Sequence, residues 1–239
     1  MLPLKDDIPT RSFPLVTVGL IAANILVFLY QLSLSVPGDR EGLRTAQAFV
    51  YEFGLIPCRL SGRCALPVDL GAPAPFVTVF TSMFLHGGLF HVGGNMLYLW
   101  IFGNNVEDSM GHGRFIVFYL LSGLVAALAQ FAIDPASQIP MIGASGAVSG
   151  ILGAYLVMYP HARVLTLVVF GIFWQFIRVP AVIVLGFWIV VQLLNGLLTF
   201  SGPQQGGVAW FAHIGGFLAG LVLIRFFRRR PRIRYNYRP

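Results

Sequence analysis

A short glycine-rich segment, Gly143-Ala-Ser-Gly146, places a serine hydroxyl at the expected start of an apolar helix. The first backbone N–H groups of a helix have no partner within the helix, and the helix dipole favours negative charge there. The tetrahedral oxyanion that forms when Ser145 attacks a peptide carbonyl can therefore be stabilised at this position. Serine is a weak nucleophile unless a base accepts its proton, and a neutral histidine is the usual base.

His213, in the segment Ala212-His-Ile-Gly-Gly216, is the candidate base. Its helix also carries Gly220, and the serine helix carries Gly146 and further glycines at three- and four-residue spacing. Small residues at that spacing allow two helix backbones to approach closely, which would bring His213 to Ser145. Glycine spacing alone more often reflects packing than catalysis, so the prediction depends on the combination.

Three further polar residues precede or open another apolar segment: His86, His91 and Asn95. His91 and Asn95 are four residues apart and share a helix face, and both can donate hydrogen bonds to an oxyanion. We interpret His86 as a structural hydrogen-bonding residue. Ser149 is interpreted as bonding back to its own helix backbone, as serines in membrane helices commonly do.

The composition indicates which elements must position these residues. Apolar residues make up 56% of the 239 residues, charged residues only 10%, and the mean hydropathy is +0.77. Soluble domains contain about 25% charged residues. The chain is therefore predicted to be an all-α, polytopic membrane protein, which excludes a soluble enzyme, a disordered chain and a collagen-like chain.

Uncharged stretches predict six membrane spans, since a crossing helix needs about 20 mostly apolar residues. These spans are residues 13–33, 89–106, 115–133, 143–159, 180–200 and 208–224. They define a membrane domain, 13–224, between an N-terminal segment, 1–12, and a basic tail, 225–239. The long loop 34–75 is expected to be a structured lid. Residues 164–177 are apolar but short, so we expect an interfacial or re-entrant segment.

Positive charge fixes the predicted orientation. Seven of the sixteen basic residues lie between 225 and 238, which favours a cytoplasmic anchor over nucleic-acid binding. With six spans both termini are cytoplasmic, and the loops 134–142 and 201–207, which lack Lys and Arg, lie outside. The second, fourth and sixth helices then start from the outer side, so that His91, Ser145 and His213 share one layer.

The predicted spans contain no Asp, Glu, Lys or Arg. An intramembrane aspartyl protease or a His-Glu-x-x-His metalloprotease is therefore excluded, and an ion-coupled transporter is disfavoured. Cys58 and Cys64 are too few for a metal site of their own, but they can form a disulfide if their loop is extracytoplasmic.

The sequence resembles the rhomboid family of intramembrane serine proteases, in particular its bacterial members. The main motifs are Gly143-Ala-Ser-Gly146, His86-x4-His91-x3-Asn95 and Ala212-His-Ile-Gly-Gly-Phe-Leu-Ala-Gly220, and shorter matches are 7–15, 53–57, 102–108 and 179–181. A GxSG motif by itself is weak evidence, but all these features in order along six spans are specific.

The resemblance implies a six-helix bundle and a Ser145–His213 dyad rather than a triad. It also implies an oxyanion site formed by His91, Asn95 and the backbone N–H of Ser145, with no metal or other cofactor. Substrates would be single-pass membrane proteins, cleaved near the outer face of a bacterial inner membrane. The fifth helix, near Phe187 and Trp188, would be a lateral gate.

Two departures from the family pattern affect these expectations. Residues 76–80 lack the Trp-Arg pair that many members carry in the first loop. Ser149 occupies a position where several members have an aromatic residue that stacks on the base. We therefore expect His213 to be held less firmly, or by another ring such as Phe211 or Trp210.

Two other functions are weighed against a protease. A catalytically inactive relative that binds membrane clients would be expected to lack the serine or the histidine, and this chain has both. A small-solute transporter would show internal repeats with matching broken helices, and no convincing repeat is found. The sequence leaves open the substrate, the oligomeric state and the pairing of Cys58 with Cys64.

Overall fold

The computed structural model describes residues 1–35, 40–64, 73–200 and 207–229. Within these ranges the helices are α1 (Leu15–Leu34), α2 (Arg40–Phe53), α3 (Pro57–Ser61), α4 (Pro75–Thr81), α5 (Leu89–Tyr98), α6 (Asn104–Met110), α7 (His112–Ile133), α8 (Ser145–Met158), α9 (Ala181–Leu198) and α10 (Trp210–Phe227). A 3₁₀ turn (Ser82–Phe84) follows α4, and a π-helical turn (Leu99–Gly103) joins α5 to α6. The strands are β1 (Leu2–Lys5), β2 (Arg163–Phe170) and β3 (Phe173–Pro180).

Four of these helices are long and apolar enough to cross a membrane, namely α1, α7, α9 and α10. The second predicted span corresponds to Leu89–Met110, which forms a pair with Pro75–Phe84 bent by 83°. The fourth corresponds to α8, which has only 14 residues and is about 21 Å long against about 30 Å of hydrocarbon. The helical membrane bundle is confirmed, and the count of six crossings stays a prediction.

The centre of the bundle is α8, which packs against α7 and α10. A methyl group added at Gly216 would collide with the backbone oxygen of Gly146, and one added at Gly220 would collide with that of Gly150. The two helices therefore touch backbone to backbone, as the glycine spacing predicts.

A buried acid joins α6 to the start of α1, which the sequence analysis did not expect. Glu107 is 1% exposed, and its carboxylate accepts hydrogen bonds from the Val16 N–H at 2.9 Å, the Thr17 N–H at 2.8 Å and the Thr17 hydroxyl at 2.6 Å. His112 Nδ1 lies 2.5 Å from the same carboxylate. The second helix extends beyond its predicted end to Met110, and Glu107 satisfies N–H groups that the first turn of α1 leaves open.

The segment 164–177, expected to be interfacial or re-entrant, is most of a β-hairpin. Its strands β2 and β3 pair antiparallel, β1 pairs with the other edge of β2, and Gly171 adopts a φ of +59° in the turn. The base of the hairpin is buried, whereas Ile172 at its tip is 87% exposed. The all-α prediction did not include this three-stranded sheet. The placement of the apolar hairpin tip in the membrane interface stays a prediction.

The N-terminal segment is fixed to the bundle by two aspartates. Asp6 accepts hydrogen bonds from the Tyr155 hydroxyl at 2.6 Å and from Asn105 Nδ2 at 2.5 Å, while Asp7 accepts the Arg163 N–H at 2.8 Å. Burial raises the pKa of the Asp6 carboxyl, and the hydrogen bond from Tyr155 partly opposes that shift.

The first loop is structured, as predicted, over the parts that are described. It contains α2 and α3, and Cys58 is bonded to Cys64, which resolves the pairing left open by the sequence. Leu55 exchanges two backbone hydrogen bonds with Met141, and the Cys58 N–H donates to the Ser137 carbonyl. The lid therefore rests on the segment that leads into α8. Residues 36–39 and 65–72 of this loop lie outside the described ranges.

Candidate active site

The structure brings the predicted nucleophile and base together. Ser145 is the first residue of α8, and His213 lies in the first turn of α10. His213 Nε2 is 2.7 Å from Ser145 Oγ, the distance of a strong hydrogen bond. The glycine contact between the two helices makes this approach possible.

The start of α10 is held by a glutamine that the sequence analysis did not single out. Gln130 Oε1, from α7, accepts hydrogen bonds from the Phe211 N–H at 3.1 Å and the Ala212 N–H at 3.3 Å. Gln130 thus satisfies the Phe211 N–H and shares the Ala212 N–H with the Ala209 carbonyl, so that it holds the first turn of α10 just before the base. A glutamine in an otherwise apolar helix is the signal that could have identified it.

His213 has a second polar partner that the sequence analysis also missed. Its Nδ1 lies 2.8 Å from Oε1 of Gln192, a buried residue of α9. Two indole rings flank the imidazole: Trp188 at 5.9 Å between ring centroids, and Trp210 edge-on at 6.3 Å. Trp210 was one of the two rings expected here.

The other expected ring, Phe211, packs against Phe200 instead, with 5.4 Å between centroids. Ser149, which stands where an aromatic residue was anticipated, donates its hydroxyl to the Ser145 carbonyl at 2.6 Å. This confirms the interpretation of Ser149 as a back-bonding serine. The imidazole is thus held from α9 and from the N-terminus of α10, with no ring from α8.

His91 and Asn95 lie beside the backbone that precedes the serine. A methyl group added at Gly143 would lie 2.6 Å from His91 Nε2 and 3.6 Å from Asn95 Nδ2. His91 Nδ1 accepts the Gly87 N–H at 3.2 Å, so a neutral His91 carries its proton on Nε2. Asn95 Nδ2 is buried and has no hydrogen-bond partner among the described residues. Both donors are therefore available beside Ser145.

Position 143 requires a glycine, both because of its backbone conformation and because of the side chains around it. Its φ of +121° is one that residues with a Cβ rarely adopt, and its N–H donates to the Ser82 carbonyl at 2.8 Å. The close approach of the His91 ring leaves no room for a side chain. This glycine therefore fixes the spacing between the serine and the His91 donor.

His86 makes hydrogen bonds to a neighbouring helix. Its backbone N–H and carbonyl pair with the side-chain amide of Gln31 on α1 at 3.0 and 3.3 Å. Its ring packs edge-on against His91, with 5.0 Å between centroids. His86 thus supports the orientation of His91 and links it to α1.

A cavity of about 930 Å³ opens over these residues. Ser145, His213, His91 and Asn95 line it together with Trp188. Phe187, the other predicted gate residue, points outward and is 52% exposed. No group of three His, Cys, Asp or Glu side chains that could hold a metal occurs in the part of the chain that the structure describes.

Comparison with known proteins identifies the family. A family model described as the rhomboid domain matches residues 73–230, more than half of the chain. The chain belongs to the rhomboid family. The rhomboid match includes the residues of the site just described, from His86 to His213, and α7 to α10.

Curated rhomboid proteins are similar over 61% to 93% of the chain. The rhomboid protease GluP of Bacillus subtilis is 35% identical over 210 residues, which are 88% of this chain and 35% of that protein. RHOMBOID-like protein 1 of Arabidopsis thaliana is 30% identical over 93% of this chain and 56% of its own length. Rhomboid protein 1 of Saccharomyces cerevisiae mitochondria is 29% identical over 61% of this chain and 40% of its own length. The chain thus spans between about a third and somewhat over half of these relatives.

Proposed function

We propose that this rhomboid protein is an intramembrane serine endopeptidase in which Ser145 is the nucleophile and His213 is the general base and acid. The observation that carries the proposal is the 2.7 Å contact between Ser145 Oγ and His213 Nε2. A serine paired with a histidine, in a cavity with additional hydrogen-bond donors, is the arrangement that acyl transfer needs.

The proposed reaction has two steps. Ser145 Oγ attacks the carbonyl carbon of the scissile peptide bond, and its proton passes to His213 Nε2. The tetrahedral intermediate collapses, the C–N bond breaks, and His213 returns the proton to the leaving amine. A water molecule, deprotonated by His213, then attacks the acyl-serine ester, which releases the carboxylic acid and restores Ser145.

The negative charge of the intermediate falls on the former carbonyl oxygen. We assign its stabilisation to the Ser145 N–H, His91 Nε2–H and Asn95 Nδ2–H. Asn95 Nδ2 has no hydrogen-bond partner among the residues that the structure describes, and the Gly87 N–H sets the tautomer of His91; both observations support this assignment. Donors held in place before reaction lower the barrier because no reorganisation is needed when the charge forms.

The short length of α8 suggests the substrate class. A helix of about 21 Å in about 30 Å of hydrocarbon places its first residue several ångströms inside the membrane. We propose that the substrates are single-pass membrane proteins cut near the outer face, entering beside α9. In this proposal both termini are cytoplasmic, residues 13–224 form the membrane domain, and the membrane is the bacterial inner membrane.

A cleavage assay in liposomes tests the proposal. The purified protein is reconstituted with a fluorescent single-pass reporter, alongside Ser145→Ala and His213→Ala. Ser149→Ala is the matched control, since it removes a neighbouring hydroxyl that is bonded to backbone. We expect cleavage by wild type and Ser149→Ala only. If folded wild type cuts none of a panel of reporters, or if Ser145→Ala still cuts, the proposal is wrong.

A further inference from the structure

Gln192, on α9, contacts the base from the fifth predicted span. Hydrogen bonds at both ends of its side-chain amide fix which end faces His213. Oε1 lies 2.8 Å from His213 Nδ1, while Nε2 donates to the carbonyl of Trp188, one turn earlier on α9, at 3.3 Å. If the amide were flipped, its oxygen would face the Trp188 carbonyl, and two acceptors would oppose each other. Gln192 therefore presents an acceptor to His213.

That acceptor decides which ring nitrogen of His213 carries the proton. A neutral imidazole has one N–H and one lone pair. When Nδ1–H donates to Gln192, the lone pair is on Nε2 and faces the hydroxyl of Ser145. The opposite tautomer would point an N–H at Ser145 and could not accept its proton.

We propose that Gln192 is a positioning residue that completes a Ser145–His213–Gln192 triad. It holds His213 in the Nδ1–H tautomer and fixes the ring plane, together with the tilted indole of Trp188. This inference rests on the proposed protease function, and it adds a positioning residue to the proposed Ser145–His213 dyad.

The surroundings of the base explain why such a residue is needed in this chain. Ser149 has no ring to place against the imidazole, and its hydroxyl is bonded to the Ser145 carbonyl. Gln192 is 6% exposed, and a buried amide is costly unless both its ends are hydrogen-bonded. The bonds to Trp188 and His213 satisfy it.

The test compares variants of the 239-residue chain in detergent and in liposomes. Gln192→Met has similar length but no acceptor, Gln192→Glu keeps an oxygen at the same reach, and Leu194→Met is the control on the exposed side of α9. We expect Gln192→Met to lower kcat about 10- to 100-fold with KM within about threefold. Gln192→Glu should recover most of this loss, and Leu194→Met should match wild type.

Two readouts separate a positioning role from a purely structural one. Loss of the acceptor should move the acidic limb of the pH–rate profile to lower pH in Gln192→Met, because the imidazolium loses a hydrogen-bond partner. ¹⁵N NMR of labelled histidine, assigned by difference from His213→Ala, should show a protonated Nδ1 in wild type and a changed tautomer in Gln192→Met.

The outcomes distinguish this inference from the proposed function. If wild type cuts the reporter and Gln192→Met keeps kcat within about twofold with an unchanged pH profile, the triad is wrong and the protease stands. If wild type cuts nothing, the protease is wrong, and the NMR measurement still decides whether Gln192 sets the tautomer. If Gln192→Met does not fold, an inactive Gln192→Glu variant with wild-type melting temperature and substrate binding overturns the proposal.

Discussion

Replacing Gly143 by alanine should disable the site without unfolding the bundle. The new methyl group would lie 2.6 Å from His91 Nε2, whereas ordinary contact begins at 3.4 Å. The His91 ring must therefore retreat by about 0.8 Å, from the difference between these two distances. A displacement of this size would remove the ring from the proposed oxyanion position, where one donor contributes about 100- to 1,000-fold in kcat.

Gly143→Ala also strains the backbone. A φ of +121° is unfavourable for alanine, and such conformations cost about 1–3 kcal/mol. We expect a lower melting temperature in detergent and a fall in kcat of at least about 100-fold.

Gly93→Ala is the matched control, because Gly93 lies on the same helix as His91 and a methyl group there meets nothing within 4 Å. Its kcat should equal that of wild type. Reporter cleavage and thermal unfolding are measured on all three proteins. The reasoning is refuted if folded Gly143→Ala retains kcat within about twofold of wild type.

Three further predictions concern parts of the protein away from the reacting atoms. Glu107→Ala should lower the free energy of unfolding by about 2–3 kcal/mol, because three donors at the start of α1 lose a charged acceptor; equal thermal stability of the two proteins would contradict this. Because burial raises the pKa of the Asp6 carboxyl above its usual 3.8, the free energy of unfolding of wild type relative to Asp6→Asn should be greatest below pH 3.8 and should fall as the pH rises through the raised pKa. A flat difference between the two unfolding curves would show that burial does not control this carboxyl. A spin label on Ile172→Cys should be accessible to oxygen dissolved in lipid, whereas a label that reacts mainly with water-soluble relaxants would place the hairpin tip in the aqueous phase.

The helices and the Ser145–His213 pair could be predicted because charge is scarce in this chain. Apolar stretches of membrane length form helices, and the few polar residues within them must face one another. Glycine spacing then indicated which two helices touch. These arguments needed only the order of residue types.

Neutral amides and the hairpin could not be predicted in the same way. Gln130 and Gln192 are polar residues within apolar helices, but they carry no charge, and the sequence does not indicate that either one contacts α10. Residues 164–177 form an apolar stretch that is too short to cross the membrane, and its pattern alone does not decide between a helix and strands. The β-branched and aromatic residues, together with Gly171 at the turn, favour strands. Glu107 was not expected to be buried because the second span was predicted to end at residue 106, whereas α6 continues to Met110.

The most direct test of the central claim is to map the covalent adduct of a fluorophosphonate probe by mass spectrometry. The probe phosphonylates a serine only when a base activates its hydroxyl, so we expect a single adduct, on Ser145, which is lost in His213→Ala. Adduct formation on another serine, or equal labelling of Ser145 in His213→Ala, would contradict an activated Ser145–His213 pair.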